Sequence, residues 1–176
     1  MAQPLGSAAP SAPSEQPVAD SQVIMNELAL PNDANALGNV LGGRVMHLMD
    51  MCAAMAAMRH CRKVVVTASV DQLSFLHPVQ VGMVMNLKAS VNYTDRTSME
   101  VGVRIEAEHP LTGQRRHTSS AYLTFVALDE QGRPTPVPRV VPVSEIEQRR
   151  YAEAEERRAA RLAARAKQAA ARETEQ

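Results

Sequence analysis

An α+β fold, with an antiparallel sheet wrapped around one central helix, is predicted by three observations. The first is a helix-forming run over 45–58. Its apolar residues Val45, Met46, Leu48, Met49, Met51, Cys52, Met55 and Met58, with four alanines, cover every side of a helix. Such a helix has to be enclosed by other structure. The second is strict alternation over 84–94, where Met85, Leu87, Ala89, Val91 and Tyr93 oppose Asn86, Lys88, Ser90 and Asn92, and again over 97–107. The third is the brevity of the turns between these segments. Hairpin-linked strands imply an antiparallel sheet with one buried and one wetter face.

The elements follow in order. Residues 1–20, rich in Ala, Pro, Ser and Gln, have little to bury and are expected to be a disordered tail. A first strand is expected over 21–30, ended by Pro31. The turn formers of PNDAN lead to Gly38, Gly42 and Gly43 at the start of the helix, which is expected to end near 59–63, where Arg59, Arg62 and Lys63 suit its negative pole. Two of its features are expected to be core: the methionines, which fill gaps in apolar interiors, and the alanines, which let strands approach closely. Further strands are expected over 63–75, 84–94, 97–107 and 116–128. A Pro-rich exit, 129–142, leaves the sheet. From Ser144 a charged Ala/Arg/Glu helix begins, with Ser144 and Glu147 spaced as a capping box. Its arginines and glutamates recur every three or four residues, the pattern of a solvated helix. The expected division is a tail over 1–20, one domain over 21–143 and the C-terminal helix over 144–176.

Composition removes several function classes. Nineteen basic and nineteen acidic side chains cancel, so no global field marks nucleic acid or an anionic membrane as partner. Tryptophan is absent and aromatics make up 3% of the chain, which weakens base stacking as a theme. Cys52 and Cys61 lie nine apart in or beside one helix, read as free thiols, and suggest a reducing, cytoplasmic setting. No basic-then-apolar leader is visible, and Arg44, His47 and Asp50 make the apolar helix too polar to span a bilayer. His60 and His77 lack ligand-like spacing, so no metal is expected.

The residue in conflict with its surroundings is Asp50. A carboxylate inside an enclosed apolar helix is costly unless it is paired or hydrogen-bonded. The pattern alone leaves two readings open. Asp50 is a catalytic base or nucleophile, or a structural carboxylate bonded to His47 or to an incoming strand. Asn35 likewise either serves chemistry or shapes a turn. Gly42 and Gly43 either offer free N–H groups to a developing oxyanion or serve close packing.

The run Asn35-x-x-Gly38-x-x-x-Gly42-Gly43 with Met46 and Asp50 resembles the hotdog-fold acyl-CoA thioesterases of the cytosolic and brain acyl-CoA hydrolase type. VVTASVDQLSF (65–75) with Pro78 and Gly82, RTSMEV (96–101) and TFVALDEQGRPTPVP (124–138) carry the same resemblance, which spans roughly residues 22–143. Asp95 departs from it, standing where the family has a glycine. The resemblance implies a hotdog fold and hydrolysis of acyl-CoA to free acid and coenzyme A. It places the catalytic pair at Asn35 and Asp50, shared across a homodimer, with larger assemblies that are often trimers of dimers. No cofactor is implied, coenzyme A being part of the substrate. Arg96, Thr97 and Ser98 are implied as coenzyme A contacts, with Val70 and Phe75 lining the acyl channel. The competing readings are a hotdog hydroxyacyl-thioester dehydratase, which would need His47 beside the carboxylate, and a non-catalytic acyl-CoA-binding module.

Overall fold

The computed structural model describes residues 14–174. In chain order these form β1 (Glu15–Pro17), β2 (Val23–Leu28), α1 (Gly42–Cys61), β3 (Val64–Phe75), β4 (Val84–Thr94), β5 (Ser98–Glu108), β6 (Arg115–Leu128), β7 (Arg139–Val141) and α2 (Glu145–Thr174). Strands β2 to β6 make one antiparallel sheet in the order β2-β4-β5-β6-β3. The hairpins expected from short turns are β4–β5 and β5–β6. Strand β3 instead crosses to the far edge, beside β6.

Helix α1 lies across one face of this sheet and touches all five strands. Ala53, Ala56 and Ala57 are fully buried in it, and Leu48, Met49 and Cys52 pack with them against Leu87, Val91, Val101, Ile105, Leu123 and Phe125. The helix stops at Arg62, whose left-handed φ of 54° turns its N–H back to the Met58 carbonyl.

Full enclosure of α1 is not what one chain provides. Met46, Met51 and Met58 are exposed, so only part of the expected methionine core is core, with Met49 buried and Met55 partly so. The sheet covers one side of α1, and the opposite side is left apolar and open. It joins the exposed Val64, Val66 and Val70 of β3.

The outer face of the sheet is also drier than alternation predicts. Asn92, Glu100 and Thr124 are buried there, because α2 docks on that face rather than standing in solvent. The Arg157 guanidinium grips Glu100 at 2.7 Å and lies 3.7 Å over the Tyr122 ring. Arg158 pairs with Asp95 and Arg161 with Asp71. Tyr151 packs on Tyr93 at 5.0 Å between ring centroids, and Ala154 is fully buried. Asp95, the departure from the family pattern, is thus an anchor for α2. Burial pushes its carboxyl up, but the Arg96 N–H and the hydrogen bond and charge of Arg158 outweigh it and hold the group below the usual carboxylate range. The capping box forms as expected: Glu147 accepts from the Ser144 N–H at 2.9 Å, and the Ser144 hydroxyl accepts from Glu147 N–H at 3.3 Å.

The expected tail and exit differ as well. Residues 1–13 lie outside the described residues, but 15–17 form β1, which pairs in parallel with β7 from within the Pro-rich exit. Gln16 and Val140 are buried at the centre of that pair.

His60, at the buried end of α1, donates from Nε2 to the Pro138 carbonyl at 2.9 Å, while Nδ1 is buried without a partner. Burial pushes its pKa below the ordinary value, and the Pro138 bond and Asp20 only partly oppose this. A histidine that stays neutral in the fold and charges in the unfolded chain makes the unfolded state bind more protons. Stability is therefore present above the ordinary pKa near 6.5 and is lost progressively as pH falls from there toward the depressed folded value. The thermal midpoint should drop between about pH 7.5 and pH 5.5. The His60→Gln chain keeps a donor but has no proton to gain, and should show a smaller drop in the same melts.

Candidate active site

Asp50 sits on α1 where that helix passes β3. These two elements and β6 form a cleft of about 390 Å³ lined by Gly43, Met46, Asp50, Thr67, Val70 and Leu123, among others. Apart from Asp50, Thr67 and His47, the lining is apolar side chains and one glycine. The carboxylate is half-buried. Its Oδ1 accepts a 2.7 Å hydrogen bond from the Thr67 hydroxyl. Among the described residues no other side chain bonds it, so Oδ2 is left for a ligand or a water. The incoming strand, rather than His47, is what satisfies Asp50. His47 lines the cleft without bonding the carboxylate.

Thr67 is the site residue that the sequence reading missed. Two bulges explain how it gets there. In the β3–β6 ladder Thr67 pairs with Phe125 but Ser69 with Thr124, and Val70 pairs with Leu123 but Gln72 with Tyr122. Ala68 and Asp71 are therefore extra residues. In a regular strand Thr67 and Val70 would point to opposite faces. With an extra residue in each step, Thr67, Val70 and Leu73 all line the cleft.

Asn35 is not beside Asp50. It lies in the loop before α1, where its Oδ1 accepts from the N–H groups of Leu37 at 2.9 Å and Asn39 at 3.2 Å. With Gly42 and Phe75 it lines a second, more polar cleft of about 290 Å³. Phe75 and Val70, expected in one channel, are therefore in different clefts of one chain. Gly42 and Gly43 open α1 with no side-chain cap, and the first intrahelical bonds come from Arg44 and Val45, both to the Leu41 carbonyl. The N–H groups of Gly42 and Gly43 are left unspent. A Cβ at Gly43 would meet nothing within 4 Å, whereas one at Gly42 would rest on Phe75 at 3.5 Å. Arg96, Thr97 and Ser98 lie at the β4–β5 turn and line neither cleft. Their backbone holds later chain in place: the carbonyls of Arg96 and Thr97 accept from Val137 and Ala127.

One apolar helix crossed by an antiparallel sheet, with a carboxylate at the cleft between helix and edge strand, defines the hotdog class. The thioesterase superfamily matches residues 37–114. YkhA of Bacillus subtilis (strain 168), named as an uncharacterized acyl-CoA thioester hydrolase, is 41% identical over 128 residues, which are 73% of this chain and 74% of that one. The chain belongs to the thioesterase superfamily. Among solved structures, an apo-hexameric acyl-CoA thioesterase superposes with a TM-score of 0.84 at 43% identity, covering 87% of this chain and 98% of that one. An acyl-CoA hydrolase from Staphylococcus aureus, in complex with butyryl coenzyme A, coenzyme A and coenzyme A disulfide, superposes with a TM-score of 0.84 at 34% identity over 90% and 97% of the two chains. Structures of that enzyme also exist with an aspartate, an asparagine or a threonine replaced by alanine.

Proposed function

We propose that the chain hydrolyses acyl-CoA to a free carboxylic acid and coenzyme A, with Asp50 as general base. The observation that carries this reading is a carboxylate with one oxygen fixed by Thr67 and the other open to an apolar cleft. Asp50 takes a proton from water, and the hydroxide adds to the thioester carbon. The carbonyl electrons move onto oxygen and return as the carbon–sulfur bond breaks, and the departing thiolate of coenzyme A collects a proton. The three replaced residues of the S. aureus enzyme have the sequence separations of Asn35, Asp50 and Thr67, which supports the same trio here.

The site is shared between two copies. Gly42 and Asp50 are eight residues apart on α1, about 12 Å along the axis, too far for both to act on one carbon. Each chain thus holds two half-sites. One has the base, Asp50 with Thr67; the other has donors, the Gly42 N–H with Asn35. An isologous dimer brings the donor half of each copy to the base half of the other. The open apolar side of α1 and the exposed valines of β3 offer the surface for it, and the hexameric relative supports further assembly into a trimer of dimers. In that reading Arg96, Thr97 and Ser98 hold coenzyme A bound at a neighbour's cleft, and Val70 and the neighbour's copy of Phe75 face the same acyl chain. A cytoplasmic setting fits the two buried free thiols. Among the described residues no helix is long and apolar enough to cross a membrane.

A dehydratase would use a His bonded to the carboxylate, whereas here Thr67, not His47, bonds Asp50. The test is release of free thiol, read with a thiol-reactive dye, from a panel of short to long acyl-CoAs. Turnover of at least one chain length is expected. Water loss from a hydroxyacyl thioester without thiol release, or tight coenzyme A binding without turnover, would replace this reading by one of its competitors.

A further inference from the structure

The double bulge that brings Thr67 to Asp50 lies on an edge strand of the chain's own sheet. A one-residue slip in register turns every side chain beyond it to the other face. Something must fix where the extra residues sit. Asp71, the second of them, points to the outer face. Its Oδ1 accepts from the Ser69 hydroxyl at 3.0 Å, and its Oδ2 accepts from the Thr124 hydroxyl at 3.2 Å and from Arg161 of α2. Both members of the ion pair are nearly buried, with side-chain exposures of 11% for Asp71 and 15% for Arg161. Moving the bulge would swing Asp71 toward Val70, Leu73 and Leu123, where a carboxylate is costly.

We propose that Arg161 is a positioning residue for the reaction: through Asp71 it locks β3 over 67–72 in the register that turns Thr67 toward Asp50. The C-terminal helix thereby reaches through the sheet to the opposite face. Arg161 touches neither substrate nor Asp50 and acts only through the strand. The inference rests on Asp50 and Thr67 being the base and its holder.

The test compares the whole chain with Arg161→Met, Arg161→Lys, Arg158→Met and Asp50→Asn. It measures kcat and KM for acyl-CoA and amide hydrogen exchange over 64–75. Arg161→Met should lose roughly tenfold to a hundredfold in kcat, the scale of a small misplacement of a catalytic group, with KM little changed and exchange over 64–75 accelerated. Arg161→Lys should recover part of the loss. Arg158→Met loosens the same helix through Asp95, remote from the bulge, and should keep its kcat. Native kcat in Arg161→Met beside an inactive Asp50→Asn would overturn the clamp alone. So would an equal loss in Arg158→Met, or a loss without faster exchange over 64–75. Full turnover in Asp50→Asn would overturn the site itself and the positioning role with it.

Discussion

Asp50→Asn should release thiol from acyl-CoA roughly a hundredfold to ten-thousandfold more slowly than the unaltered chain, the range lost with a positioned general base. The substitution is nearly isosteric. The amide carbonyl can still accept from Thr67 Oγ1 if it turns to that side, so α1 and β3 should stay joined. What disappears is a group able to take a proton. KM for acyl-CoA should change little, because the apolar lining of Met46, Val70, Leu73, Ala121 and Leu123 is untouched. Thr67→Val should cost less, since it frees the carboxylate to rotate without removing it. The double substitution should be scarcely worse than Asp50→Asn alone, because a holder has no effect once the base is gone. Single-turnover hydrolysis in heavy-oxygen water separates base from nucleophile. With Asp50 as base the label enters the product acid alone; label appearing in the protein would show Asp50 as nucleophile, its anhydride with the acyl group opened by water at the aspartyl carbon.

The fold was legible where burial is decided locally. The alternation in β4 and β5 follows directly from one face meeting α1, and Asp50 stood out because an apolar helix rarely carries a carboxylate. Thr67 was not legible, because its position depends on two bulges. VVVTASVDQLSF contains no glycine or proline to mark either extra residue. The signal that existed was indirect: a half-buried carboxylate needs a donor, and β3 carries hydroxyls. Helix α2 misled for a related reason. Its (i, i+4) charges look self-satisfied, but Arg157, Arg158 and Arg161 answer Glu100, Asp95 and Asp71, more than fifty residues earlier in each case. Pairs of that separation leave no local pattern. The short β1–β7 ladder was hidden by composition, since three residues beside prolines make a strand only when a partner is present.

Combining two inactive chains in mixed dimers, one Asn35→Ala and one Asp50→Asn, should restore hydrolysis. Asn35 and Gly42 line one cleft of the chain, and Asp50 and Thr67 line another. If a working centre joins opposite halves of two copies, a mixed dimer contains one centre with both altered residues and one with neither. Coexpression at equal levels makes half the dimers mixed, and each has one intact centre of two, so activity should return to about a quarter of the native level. A centre confined to one chain gives no recovery at any ratio, because each chain would carry its own lesion. Dissociation and reassociation of the mixed chains should be required, since pairing through the exposed apolar side of α1 and the β3 valines would make dissociation slow. Recovery that appears only after exchange, and not on simple mixing, ties it to the subunit contact rather than to contamination. The same experiment with Arg96→Ala against Asp50→Asn asks whether the β4–β5 turn also serves a neighbour. Recovery there would assign coenzyme A's charged end to a copy other than the one supplying the base.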